Sequence, residues 1–88
     1  MASYSLVLKP SVEKDLRQLP RPILKRVWAN IQALSQEPIP RQSTKLAGAE
    51  HLYRLRVGDY RTIYTVDHDA RQVIVHYVRH RREAYRGL

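Results

Sequence analysis

The hydrophobic period changes once along this chain, and that change constrains the fold more than any other feature. Up to about residue 34 the apolar residues recur at helical spacing. Val12, Leu16 and Leu19 stand at i, i+4 and i+7, with Glu13, Lys14, Arg17 and Gln18 between them, the pattern of an amphipathic helix with one buried stripe. Pro10 and Ser11 precede it, and Ser11 is the expected N-cap. Pro20 and Pro22 divide this helix from a second face made by Ile23, Leu24, Val27, Trp28, Ile31 and Leu34. Its place in that face puts Trp28 in the core ahead of a partner contact. Pro38 and Pro40 end the second helix and leave a loop to about Ser43.

From Leu52 the period is two. In Leu52 to Val57 the side chains of Tyr53, Leu55 and Val57 share one side and those of Arg54 and Arg56 the other. Gly58-Asp59 between two alternating runs marks a two-residue hairpin turn, with Gly at the first position as a type II′ turn needs. Tyr60 to Val66 returns, residues 67–71 turn again, and Gln72 to Arg79 forms a last strand. Ser3 to Lys9 is a short apolar strand at the start. The order is β-α-α-β-β-β: an α+β fold, with an N-terminal strand and a helical hairpin packed on a mostly antiparallel sheet of about four strands.

Eighty-eight residues, 43% of them hydrophobic, suffice for one small core, so a single domain over 1–88 is expected. No Cys is present, which excludes disulfides, cysteine-ligated metals and thiol nucleophiles. No apolar run approaches the ~18 residues of a membrane span. The first residues lack the pattern of a signal peptide, and a cytoplasmic protein is expected.

Sixteen basic residues stand against eight acidic ones, for a net charge of +8, and twelve of the sixteen are Arg. Arg grips phosphate or carboxylate with a planar fork, so this bias points to a polyanionic partner. Arg54 and Arg56 share a strand face, Arg61 lies just past the turn beside them, and Arg79, Arg81, Arg82 and Arg86 gather near the chain's end. Like charges side by side on a sheet repel, and an anion would relieve them. Tyr85 and His80 are the stacking or titratable groups nearest that last cluster, as in a platform where bases stack while Arg holds the backbone. His51, His68 and His76 lack metal-ligand spacing; no serine elbow or Gly-rich phosphate loop occurs. No cofactor or metal is expected.

Three runs carry a family resemblance: Lys45-Leu46 with Gly48; Tyr53-Arg54-Leu55-Arg56-Val57-Gly58-Asp59-Tyr60-Arg61 with Tyr64; and His80-Arg81 with Tyr85. In this order the chain resembles the RelE family of toxins, within the RelE/ParE superfamily of toxin–antitoxin systems. The resemblance implies an mRNA endoribonuclease acting in the ribosomal A site. A 2′-hydroxyl attacks the adjacent phosphate and leaves a 2′,3′-cyclic phosphate, or its opened form, and a free 5′-hydroxyl. It further implies roles by position. Arg61 binds the scissile phosphate, Arg81 lies near the leaving oxygen, and Tyr85 stacks on or orients the reacting nucleotide. Lys45, Arg54, Arg56 and His80 bind RNA, with Arg54 and Arg56 in the places of a basic pair that is often lysine. Arginine cannot act as a general base near neutral pH, so either the base is Tyr85, a histidine such as His80, or a ribosomal group, or activity rests on positioning and charge alone.

The partners implied are a cognate antitoxin, the ribosome with mRNA in its A site, and operator DNA only through the antitoxin complex; no membrane is involved. A +8 chain suits an acidic segment that folds on binding. Two other readings share the fold: a ParE-like gyrase poison, and a non-catalytic RNA- or protein-binding relic.

Overall fold

The computed structural model describes residues 3–48 and 51–80. Its elements are β1 (Ser5–Leu8), α1 (Pro10–Arg17), α2 (Arg21–Ala33), β2 (Thr44–Lys45), β3 (Leu52–Val57), β4 (Tyr60–Asp67) and β5 (Gln72–His80). One sheet holds all five strands in the order β1-β5-β4-β3-β2. β1 runs parallel to β5, while β2–β3, β3–β4 and β4–β5 are antiparallel. This is the α+β architecture expected, with a fifth strand of two residues, too short to show any period.

Prolines set the helix starts. Lys9 is the N-cap of α1 and Pro10 its first residue; a Pro there loses only an N–H that would have no partner anyway. Ser11 is therefore inside the helix and not its cap, and its hydroxyl donates to the His76 carbonyl at 3.4 Å. Pro20 caps α2, and Pro22 occupies its first turn. α2 ends at Ala33, short of Pro38 and Pro40. The Ser35 hydroxyl takes the Gln32 carbonyl at 2.9 Å, and turns fill the interval.

Both helices pack on one face of the sheet. Val12, Leu19, Val27, Ile31 and Leu34 meet Leu55, Val57, Tyr64, Val66, Val73, Val75 and Val78 in one buried cluster. Trp28 is not in it: the indole is 38% exposed, in a shallow groove with Leu8, Pro10 and Leu16. Val27 and Ile31 already fill the space beneath α2, leaving position 28 at the edge of the stripe. No helix among the described residues is long and apolar enough to cross a membrane.

Candidate nucleic-acid interface

Alternation sorts β3 and β4 cleanly. Leu55 and Val57, with Thr62, Tyr64 and Val66, are buried toward the helices, which sends Arg54, Arg56, Arg61, Ile63 and Thr65 to the opposite face. The Gly58-Asp59 turn fixes the register. Gly58 has φ 57° and Asp59 is not in the left-handed region, as a type II′ turn demands. Arg56 consequently stands directly opposite Arg61.

β5 would break this pattern but for one extra residue. Ile63 pairs with Tyr77 and Tyr64 with Val75, leaving His76 as a bulge. Val73 and Val75 face the helices before it, and Val78 does so after it. The bulge thus inverts the parity of the strand's end. Tyr77 and Arg79 join the arginine face, where Arg79 stands directly opposite Arg61. Arg56, Arg61 and Arg79 form one row across three strands, spanning ~10 Å at the usual strand spacing.

Arg61 is the centre of the row and the most constrained. It is only 8% exposed, and its Nε is buried without a hydrogen-bond partner among the described residues. Its Nη1 donates to the carbonyls of Gly58 and Tyr60 at 3.4 and 3.5 Å, both long for such bonds. Arg56 Nε donates to the same Gly58 carbonyl at 3.3 Å. The Arg79 guanidinium lies 4.6 Å over the Tyr77 ring. Among the described residues none of these three arginines has a carboxylate partner. Directly opposed like charges on a sheet cost stability, and an anion over the row would offset that cost.

The other expected site residues are placed as follows. Arg54 is half-buried on the arginine face, opposite Ile63. Lys45 is exposed on β2 opposite Tyr53, which puts it on the helix side of the sheet edge. His80 pairs with Tyr60, and the two rings meet edge to face at 5.5 Å, beside Asp15 and Leu19 of the helical layer. The structure therefore does not bring Lys45 and His80 together with the arginine row. Arg81 and Tyr85 lie outside the described residues.

The arginine side instead carries His76. Its Nε2 lies 3.0 Å from Thr65 Oγ1, in an open groove of about 690 Å³ that Leu52, Ile63 and Tyr77 also line. Burial above all, and the charge of Lys9, lower its pKa, so the imidazole is neutral at neutral pH. Four residues of strand, or ~13 Å, separate Arg61 from Thr65, so His76 does not reach an anion held on Arg61. Tyr77 went unnoticed in the sequence; an aromatic two residues from an Arg in an alternating strand is the signal that could have found it. Among the described residues no group of three or more His or acidic residues could hold a metal ion.

Fold and site together define a small α+β domain, one sheet backed by two helices, whose other face carries closely set arginines. Residues 6–85 match the family model described as the ParE toxin of the type II toxin–antitoxin system, parDE. A Methanocaldococcus jannaschii protein provisionally named toxin RelE1 is 33% identical over 87 residues, 96% of this chain and 97% of the relative. The Pyrococcus horikoshii RelE–RelB complex contains a chain of the same fold at TM-score 0.81 and 32% identity, covering 93% of this chain and 99% of that one. The RelBE2 toxin–antitoxin complex of Mycobacterium tuberculosis matches at TM-score 0.75 and 29% identity, over 90% and 99% of the two chains. This chain belongs to the RelE family of toxins, within the RelE/ParE superfamily of type II toxin–antitoxin systems.

Proposed function

We propose that this chain, as one toxin domain over 1–88, is a ribosome-dependent mRNA endoribonuclease of the cytoplasm that cleaves mRNA in the ribosomal A site. The observation that carries the reading is the buried, incompletely hydrogen-bonded Arg61 flanked by Arg56 on a face with no described carboxylate against them. Such a site is electrostatically prepared for a phosphodiester. The 2′-oxygen attacks the adjacent phosphorus and the bond to the 5′-oxygen breaks. The 2′-hydroxyl proton goes to a base and the departing 5′-oxygen gains one, leaving a 2′,3′-cyclic phosphate and a 5′-hydroxyl. Negative charge grows on the phosphoryl oxygens in between, and preorganised guanidinium groups stabilise that state more than the substrate.

In this reading Arg61 holds the scissile phosphate, while Arg54 and Arg56 hold the strand. Arg81 assists the leaving oxygen and Tyr85 orients the nucleotide. No arginine can take the 2′-hydroxyl proton. His80 stands on the helix side of the sheet, so its geometry favours Tyr85 or a ribosomal group as the base. The solved complexes of relatives contain RelB. We extend this to a cognate antitoxin of acidic character, through which alone the toxin meets operator DNA.

Primer extension on mRNA held in ribosomes with an empty A site tests the reading, with wild type beside Arg61→Met. Wild type should cut A-site mRNA and leave naked mRNA intact. Arg61→Met should cut ~10²–10³ more slowly yet melt no lower, because it removes a buried charge that is only partly satisfied. Intact A-site mRNA with folded, antitoxin-free wild type would defeat the proposal. The ParE description of the matching family model favours a second reading as a gyrase poison, which inhibition of supercoiling without RNA cleavage would support.

A further inference from the structure

We infer that Arg79, held on the ring of Tyr77, is a third phosphate-binding residue, and that the RNA backbone crosses the sheet along the Arg56–Arg61–Arg79 row. The inference rests on the endoribonuclease reading and adds to it a residue, a direction and a positioning group.

Geometry puts Arg79 there. Without the bulge at His76, alternation from Val73 and Val75 would turn residue 79 toward the helices. With it, Arg79 is the cross-strand partner of Arg61 on the side away from Arg56. A bulge that re-aims the side chains of a strand's end is a built feature of a sheet, and here it costs a second like-charge pairing. A protein surface that needed only solubility would gain nothing from three guanidinium groups in register.

Arg79 is also braced. Its guanidinium lies 4.6 Å over the Tyr77 ring, two residues back on the same face, and both side chains are half-buried. Stacking on a ring leaves the edge N–H donors free to point away from the sheet, and the planar fork suits phosphate oxygens. The row is ~10 Å long, too long for one phosphate and suited to consecutive phosphodiesters. Arg61 in the centre takes the reacting one, and Arg56 and Arg79 take its neighbours. Arg79 is a binding residue in this arrangement, and Tyr77 a positioning one.

The test is binding of a short single-stranded 2′-O-methyl oligoribonucleotide, which cannot be cleaved because the nucleophile is blocked, measured across a salt series. Arg79→Ala should weaken binding about tenfold and reduce the slope of log affinity against log salt by ~0.7, the loss of one phosphate contact on a single strand. Arg79→Lys should keep the slope. Arg26→Ala, an exposed arginine of α2 on the other side of the sheet, is the control and should change the slope less. Tyr77→Leu should weaken binding about two- to fivefold, the worth of a cation–π contact, with the slope retained, and Tyr77→Phe should restore it. Thermal melts confirm that each variant is folded.

An Arg79→Ala slope equal to that of wild type, or changed no more than that of Arg26→Ala, overturns the inference. So does absence of binding by wild type, or a loss confined to binding of an acidic peptide, which would make Arg79 part of a protein interface. Tyr77→Phe as weak as Tyr77→Leu removes the positioning role. Cleavage by wild type on ribosomes with an unaltered Arg79→Ala slope sinks this inference alone. The expected slope change without ribosomal cleavage sinks the nuclease reading alone.

Discussion

Arg61 illustrates how one residue can combine a buried place in a strand with an unmet electrostatic demand. Its stem occupies a buried position in β4, while its head reaches the Gly58 and Tyr60 carbonyls at long range and leaves Nε without an acceptor among the described residues. Buried polar groups are normally paired, so this orphan is a place where a ligand oxygen would add more than it displaces. His76, on the same side of the sheet, carries a different consequence. Its folded pKa is lowered, chiefly by burial and also by Lys9, so the unfolded chain binds the proton more tightly. Stability from this residue is complete above pH ~6.5, the unfolded value, and is lost as pH falls below it. Urea midpoints at pH 7.5 and 5.0 should drop for wild type and drop less for His76→Gln, which can still bond Thr65. Equal drops in the two proteins would remove His76 from the explanation.

At the scale of elements, three devices position the arginine face: the type II′ turn, the bulge, and the ties that seat the loop after α2. Tyr64 supplies the last of these. It is fully buried, and its hydroxyl donates to the Pro38 carbonyl at 3.0 Å; burial pushes its pKa up to about 12. Ser43 closes the same loop through the Pro40 carbonyl at 2.7 Å, just before β2 begins. Tyr64→Phe keeps the ring but strands that carbonyl, and should cost about 1–2 kcal/mol, read as a melting temperature lower by roughly 4–8 °C per kcal/mol. An unchanged melting temperature would show that the bond contributes nothing. α1 is tied in a comparable way, since Asp15 Oδ2 accepts the Val78 N–H at 3.1 Å just beyond the bulge.

For the whole molecule the governing quantity is a net charge of +8 on 88 residues. Self-repulsion of this size disfavours the compact state, and salt screens it over a Debye length of ~10 Å at 0.1 M. Raising sodium chloride from 20 to 300 mM should therefore raise the melting temperature by a few degrees. A fall would mean that attractive ion pairs, such as the exposed Glu13–Arg17 pair at 3.2 Å, outweigh the repulsion. Under the proposed function, the same field would draw in an RNA strand.

The sequence by itself determined the two helices, the succession of a strand, a helical hairpin and three long strands, the Gly58-Asp59 turn and the shared face of Arg54 and Arg56, because each of these is local. Period, proline placement and turn chemistry act within a few residues. The motif runs around Tyr53–Arg61 also carried the family, which the comparisons bear out. Tertiary structure alone decided that β1 lies parallel beside β5, that Thr44 and Lys45 pair as an edge strand, and that Trp28 is exposed. It also decided which end-of-strand residue joins the arginine face. Alternation assigns faces only until a bulge interrupts it, and whether a bulge forms depends on how β4 and β5 align. The extra residue at His76 is visible only in that pairing, and it moves Arg79 beside Arg61 while sending His80 to the other side of the sheet.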